Sequence, residues 1–546
     1  FDGFTLNGDN PSLTSNITGV ATDTDLDASY GIYMYTAGVN GLVVKNNIIR
    51  NIDVYAIALY PSTNPAAAST GHVVENNLIE DLGSYSGSNP TGLGILLYRN
   101  AYTHVIGNKL NNVRVGIQTG LFDKVHTGDA IHQRIEKNVI HARRRGIFHN
   151  ETYANSAFTL DKNTITALDN ALETHWDGIL IAGQWANTTC HVTDNVIDGA
   201  GVTGKSSEGI EVWNTRVNSA VTISGGTISG VETGVFLNNL EGYPDPSANG
   251  SHATITNISI TAGAYGIRVS DSPGSTHTPV VATIGAGVEV SAPTGLSVEH
   301  SQASIAGGTV NNLAFTGPTN TYIRLVNNTN GLNAQTASFD GKTGSSAILS
   351  ENFAIEDKIT HKLDNATLGL VRVKAGELFV TTQSASIQRG VDAGAEGELI
   401  HVAAGTYAEN VLANKAGQTI KGAGSATTTV DHDGLPGHNN AGFYITAHGV
   451  TVEDLTVTTS AESTAPYYGL KIGTSASTTD NVTLTNVVVS NSHRTGFDIA
   501  RAMDLTLTNV EARNNGGAGI FMTNTEGAPL ENITTVGNPW TGLSIS

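Results

Sequence analysis

Arg145, Asp177 and Glu208 each stand directly before a Gly-Ile pair, at Gly146-Ile147, Gly178-Ile179 and Gly209-Ile210. If these phrases lie on adjacent coils of a stacked β structure, strand spacing of about 4.8 Å puts Asp177 and Glu208 about 5 Å apart. Like charges that close raise one carboxyl pKa, which suits a general acid. A carboxylate pair at about 5–5.5 Å is also the arrangement of a retaining glycosidase. Arg145 beside them has the charge to neutralise an acidic sugar or to act as the base of a lyase. His175, Trp176, Arg143 and Arg144 flank the trio. A structural ion-pair ladder or a Ca²⁺ site needs the same residue types, and ionic networks perturb pKa values without catalysing anything. The ladder is the preferred expectation.

The positions after each Gly-Ile pair form two further columns. With Ile turned inward, period-2 alternation points Tyr33, Phe148, Glu211 and Phe236 outward, and two residues on come Tyr35, Tyr60, Tyr98 and Trp213. Aromatics are only 6% of the chain, so their gathering here is informative. Rings spaced along one face could stack on sugar rings. Cover by loops, or an interface with another protein, is the stronger expectation for such an apolar row.

Asp23, Asp25 and Asp27 alternate as carboxylates do in a Ca²⁺ loop. They lack the Gly at the sixth position and the Glu at the twelfth that a helix-loop-helix Ca²⁺ site requires, so Ca²⁺ is a minor expectation here.

The elements that must position these residues come from a repeat. A β-branched residue, two positions, Asn, one position and Ile or Leu recur with the Asn at Asn47, Asn77, Asn108, Asn138, Asn163 and Asn195. Short alternating strands cannot bury a face alone, but stacked coils share one core. One Asn per coil at a fixed corner predicts a ladder of side-chain amides, and Asn tolerates left-handed backbone there. Sandwiches have no reason to repeat Asn in one slot, and propeller blades run longer, at about 40–50 residues. The fold class predicted is all-β: two tandem right-handed parallel β-helices with a small mixed junction.

These phrases resemble the coils of the right-handed parallel β-helix, or pectate-lyase-like, superfamily, over about residues 1–310 and 385–546. The resemblance implies the fold and leaves the activity open. The run from Ser386 through Gly405-Thr406-Tyr407, Glu409-Asn410-Val411 and Lys421-Gly422-Ala423-Gly424 resembles the opening of pectin-methylesterase-type β-helices. That family's catalytic set does not follow: Asp454, Asp498 and Asp504 stand outside its motif. The expected division is a first helix over 1–318, a junction over 319–384 with a short helix capped by Ser350, and a second helix over 385–546. Such tandem organisation is similar to that of large modular bacterial surface proteins.

Composition narrows the function. Gly is 62 of 546 residues and charged residues are only 14%, which suits a turn-rich β architecture. A formal charge of −20 repels phosphate backbones, so nucleic acid is not an expected partner. No stretch approaches the ~18 apolar residues of a membrane helix. Cys190 is the one cysteine, so no intrachain disulfide is expected. Both ends read as coil interior, and the chain is expected to be an excerpt of a longer polypeptide. The favoured reading is an extracellular or cell-surface structural or adhesive solenoid, such as a surface layer, filament or adhesin. Its expected partners are other copies, neighbouring modules or a polysaccharide. The alternative is a polysaccharide lyase or glycoside hydrolase acting on an acidic polymer.

Overall fold

The computed structural model describes residues 1–546 apart from 16, 22–23, 37, 62–68, 85–90, 121–129, 151–153, 170–172, 203, 214, 216–217, 240–250, 272–278, 385, 433–437, 460–467 and 475. The chain divides into two compact units. One is Phe1–Leu332 with Thr336–Gly341, and the other is Asn333–Gln335 with Lys342–Ser546.

The first unit is a parallel β-helix with up to three strands per coil. One face is a ten-stranded parallel sheet from Val43–Lys45 to Ala303–Ile305. A second face carries short strands such as Ile48–Arg50, Leu78–Glu80 and Val196–Asp198. The third carries the Gly-Ile strands, among them Tyr30–Met34, Leu93–Tyr98, His175–Ala182 and Ser206–Trp213. In four coils the second and third faces run on as one strand: Lys109–Gly120, Val139–Asn150, Thr227–Asn238 and Ser259–Ser270.

Each face sends one aliphatic column inward. Val44, Val74, Val105, Ile135 and Leu160 come from the first, Ile49, Ile79, Leu110 and Ile140 from the second, and Ile95, Ile117, Ile147, Ile179 and Ile210 from the third. All are at most 1% exposed. Because identical positions stack every coil, a short strand buries a full side chain against neighbours on both sides, which no isolated strand of three to five residues could do.

The corner asparagines stack. Nδ2 of Asn47 donates to Oδ1 of Asn77 at 2.8 Å, Asn77 to Asn108 at 2.9 Å, and Asn108 to Asn138, Asn138 to Asn163 and Asn163 to Asn195 at 3.0 Å each. Each of these acceptors also takes the backbone N–H of the preceding ladder residue, for example Asn77 N–H to Asn108 Oδ1 at 3.0 Å. The left-handed backbone, however, sits one residue earlier than expected. Asn46, Asn76, Lys137, Lys162 and Asp194 have φ of 50–56°, and the ladder Asn follows this turn with its amide directed along the stack.

Two boundaries differ from the sequence reading. The first unit extends past Thr321–Val326, because Ser338–Phe339 pairs with Ala314–Phe315 and Phe339 stacks on Phe315 at 5.5 Å. A two-residue pairing is too short to show as period-2 alternation. The short helix spans Leu349–Glu356 and follows Ile348, not Ser350. Glu351 reaches back to accept the Ile348 N–H at 3.0 Å, a carboxylate doing the capping that Ser350 was expected to do.

The second unit carries a helix at Ile387–Ala393, N-capped by Ser386, whose Oγ accepts from Arg389 N. The Glu409 carboxylate also accepts the Ile387 and Gln388 N–H groups, at 2.6 and 2.8 Å. Ile387 and Val391 pack with Val380, Ile400 and Val402 in one core. Later coils repeat at 23 residues, with amide ladders through Asn486, Asn509 and Asn532 and from Asn515 to Asn538. Asp454 accepts from Asn486 and pairs with Lys421, and Asp498 pairs with Lys471, so both act as structural partners.

Candidate functional site

The third face of the first unit brings Arg145, Asp177 and Glu208 side by side. Backbone register pairs Arg145 with Asp177 and Asp177 with Glu208. A glycine column fixes this register. A Cβ on Gly146 would lie 2.5 Å from the Gly178 carbonyl oxygen, and one on Gly178 would lie 2.5 Å from the Gly209 oxygen. The coils therefore approach so closely that only glycine fits between the charged residue and the inward Ile.

Arg145 Nε donates to Asp177 Oδ2 at 2.7 Å. His175 Nε2 lies 2.6 Å from Asp177 Oδ1 and 3.2 Å from Glu208 Oε2. Ser206 Oγ donates to Glu208 Oε1 at 3.1 Å. The Arg145 guanidinium carbon stands 4.7 Å from the centre of the Phe148 ring. A fifth member, Glu211, lies in the same group, with a carboxylate oxygen within 4.8 Å of ligating atoms of His175, Asp177 and Glu208. Alternating strand geometry would put Glu208 and Glu211 on opposite faces, since they are three apart. Gly209 breaks that alternation, and both carboxylates emerge on the same side.

Burial and charge then act against each other. Asp177 is fully buried, which favours its neutral form. The His175 hydrogen bond and the His175 and Arg145 charges outweigh this and hold it below the usual carboxylate range. For His175, burial disfavours the charged ring, but the Asp177 hydrogen bond and the Asp177, Glu208 and Glu211 charges lift it to about 9. Burial pushes Glu208 up to about 7, with His175 pulling it down and Asp177 adding to the rise. Glu211 is raised as well, first by burial and then by the Asp177 charge. The group thus holds two cations beside three carboxylates, of which Asp177 is the firmly ionised one. Arg114, from the coil before Arg145, meets Glu173 with its Nε at 2.6 Å, and Arg144 reaches the same carboxylate at 3.7 Å, extending the ionic row. Arg143 is structural: its guanidinium donates to the backbone oxygens of Asn112 and Leu82.

Residues 30–228 and 468–546, just over half of the chain, match the family described as the right-handed β-helix region. The chain belongs to the right-handed β-helix family. No curated protein matches the sequence. The charged cluster lies inside the first matched stretch, on a face that every coil of this fold repeats.

The two outward columns run in the expected register: Tyr33 pairs with Ala58, Gln118 with Phe148, Leu180 with Glu211 and Ala182 with Trp213. They do not form one exposed row: most of the rings are covered. Tyr98 and Phe236 are buried, while Tyr60, Phe148 and Trp213 are half-buried. Ala58, Leu93, Leu96, Tyr98 and Val115 form a second small core outside the coil, against which Tyr55, Tyr60 and Phe148 pack. Leu and Val side chains at outward positions cover their aromatic neighbours. Exposure survives at one end, where Tyr30, Tyr33 and Tyr35 are 46%, 39% and 56% exposed. There the rings form a near-parallel stack: Tyr30–Tyr33 at 4.6 Å, Tyr33–Tyr35 at 5.8 Å, Tyr35–Tyr60 at 6.2 Å and Tyr60–Tyr98 at 4.3 Å.

Of the Asp23, Asp25 and Asp27 trio, Asp23 lies outside the described residues. Asp25 and Asp27 gather with Asp9, which is distant in sequence. Their oxygens accept backbone N–H groups, from Ser15 to Asp25 at 2.5 Å and from Asn10 to Asp27 at 2.8 Å. Cys190 is sealed in the core, and burial pushes its thiol up to about 12, far from reactive.

Proposed function

We propose that this chain is an extracellular solenoid module of a bacterial surface protein, with a structural and adhesive role, and that it holds a polysaccharide against the tyrosine stack. The observation that carries the adhesive part is the exposed ring system of Tyr30, Tyr33 and Tyr35, continued by the half-buried Tyr60. Tyrosine joins a flat apolar body to a polar rim, which matches a sugar's C–H face and its hydroxyls. The burial of the charged cluster supports a structural role for it. Asp177 is fully buried, Glu208 is 6% exposed, and both Asp177 oxygens are already held by Arg145 and His175. A group acting on a polymer must reach the reacting atom within hydrogen-bond distance.

One observation favours the second reading, a lyase or glycoside hydrolase: Arg145, Asp177 and Glu208 occupy consecutive coils on an outward face. The two readings part at the tyrosines. A glycan array and affinity electrophoresis with acidic and neutral polysaccharides should show binding that Y33A/Y35A and Y60A weaken at least about tenfold, the scale of a lost stacking contact. Undiminished binding in both variants, or no binding to any polysaccharide, contradicts the adhesive reading. If the stack instead serves another protein module, light scattering at high concentration should show dimers that Y35A dissolves.

A further inference from the structure

His175, Asp177, Glu208 and Glu211 do more than pair charges. Each offers one ligating atom, and these atoms all lie within 4.8 Å of one another. Glu211 is 3% exposed, and its Oε2 is closed to solvent with no hydrogen-bond donor. Glu208 Oε2 likewise lacks a hydrogen bond, and its nearest cationic atom is His175 Nε2 at 3.2 Å. A buried carboxylate oxygen with no donor is costly unless a cation sits beside it. With His175 neutral and Glu208 and Glu211 ionised beside Asp177, three carboxylates against the Arg145 guanidinium leave a double negative charge, which one divalent cation cancels.

We infer that His175, Asp177, Glu208 and Glu211 form a structural binding site for a divalent transition-metal ion, Zn²⁺ fitting best, that ties strands His175–Ala182 and Ser206–Trp213 together. One imidazole nitrogen with three carboxylate oxygens is a donor set that suits Zn²⁺ better than Ca²⁺, which takes six to eight oxygens. In a tetrahedral site with metal–ligand bonds of about 2.0–2.2 Å, ligand atoms stand about 3.4 Å apart. The His175–Glu208 separation of 3.2 Å is already close to that. The His175–Asp177 separation of 2.6 Å must open by less than an ångström. On loading, the His175 Nε2 proton and any proton on Glu208 or Glu211 leave to solvent, and the metal takes their place. Arg145 keeps Asp177 Oδ2, the outer-shell contact that orients a ligating carboxylate. Four protein ligands close the coordination sphere, which is the mark of a structural site and not of a catalytic one. The inference is independent of glycan binding at the tyrosines.

The test uses the full chain, stripped with EDTA, dialysed, and titrated at neutral pH with ZnCl₂ and in parallel with CaCl₂. Calorimetry gives affinity, and elemental mass spectrometry after desalting gives ions per chain. The expected result is one Zn²⁺ per chain, preferred over Ca²⁺, with a higher melting temperature when loaded. E211Q should keep the circular dichroism spectrum of the parent and lose more than about 100-fold in Zn²⁺ affinity, a larger effect than even outer-shell changes produce. H175A should behave alike, while D25N, in the separate Asp9–Asp25–Asp27 group, should bind as the parent does. Absence of stoichiometric Zn²⁺, parental affinity in both E211Q and H175A, or loss in D25N alone would overturn the inference.

Discussion

Asp177 and Glu208 face each other across adjacent strands, and one nitrogen, His175 Nε2, lies 2.6 Å from the first and 3.2 Å from the second. The two carboxylates differ because of what else touches them. Asp177 also receives Arg145, while Glu208 receives only the Ser206 hydroxyl. One is therefore held ionised and the other is pushed up towards neutrality.

This asymmetry sets the effect of substitutions in metal-free protein. D177N leaves Arg145 and His175 without their shared partner and should cost about 3–5 kcal/mol, the range for breaking a buried pair from one side. E211Q removes a buried carboxylate oxygen that has no donor and should leave stability equal or higher. Thermal melts of the two variants check the order, and E211Q melting below D177N contradicts it.

The amide ladder should weigh most in its middle. N108A removes the acceptor of the Asn77 N–H and of one of the two Asn77 Nδ2 bonds, together with the amide that donates to the Val74 carbonyl. Each buried unsatisfied group costs about 1–3 kcal/mol. N47A strands the Phe4 N–H, while the Phe1 carbonyl still accepts from Lys45 N at 2.9 Å. Hydrogen exchange should show N108A opening the coils around residues 77 and 138, with N47A changing little beyond the first coil.

How much of this was legible in the sequence follows the same logic. The Asn spacing and the Gly-Ile phrases could be read because coil stacking demands one residue type per slot. Gly178 repeats for lack of room and Asn108 for its amide. The register of Arg145, Asp177 and Glu208 followed from their shared place before that glycine. Counting from Ile210 put Glu211 on the outer face as well, but its gathering with Glu208 as a ligating group depends on Gly209, which cancels the alternation between the two. What covers Tyr98 and Phe236 was hidden too, since packing by Leu93, Leu96 and Val115, or the Arg268 guanidinium at 4.9 Å from the Phe236 ring, is a tertiary event. Asp9 joining Asp25 and Asp27 is likewise a contact across the long connection between Thr5–Asn7 and Tyr30–Met34 that no local motif records.

Close packing at the glycine column gives a further expectation. A Cβ on Gly178 meets the Gly209 oxygen and Ile197 Cγ2, both at 2.5 Å. G178A should therefore destabilise by at least about 1–3 kcal/mol, the cost of overpacking, with strand separation added. G204A, where nothing lies within 4 Å of the added carbon, should bear only the strain of its φ of +67°. Equal melting temperatures for the two variants would contradict the close approach.

His149 makes the first unit sensitive to acid. The ring is fully buried, with Thr119 Oγ1 at 2.5 Å and the Phe158 ring 3.9 Å away, and burial lowers its pKa from 6.5 to about 3. The unfolded chain therefore binds the proton first. This contribution is fully present above pH 6.5 and is lost as pH falls from 6.5 towards 3, by about 1.4 kcal/mol per pH unit. Melting temperatures from neutral pH down to 5 should fall less steeply in H149L than in the parent. Parallel curves would show that His149 carries no such linkage.

The central claim is that the cluster of Arg145, His175, Asp177, Glu208 and Glu211 staples coils together while the tyrosine stack engages a glycan. It is tested most directly by incubating the purified chain and its E208Q variant with acidic polysaccharides, polygalacturonate and alginate among them. Binding, new reducing ends and unsaturated products are followed in the same samples. The account predicts binding with no release of either product by either protein. Cleavage by the native chain that E208Q reduces by about 10²–10⁴, the contribution of a general acid or base, would contradict it.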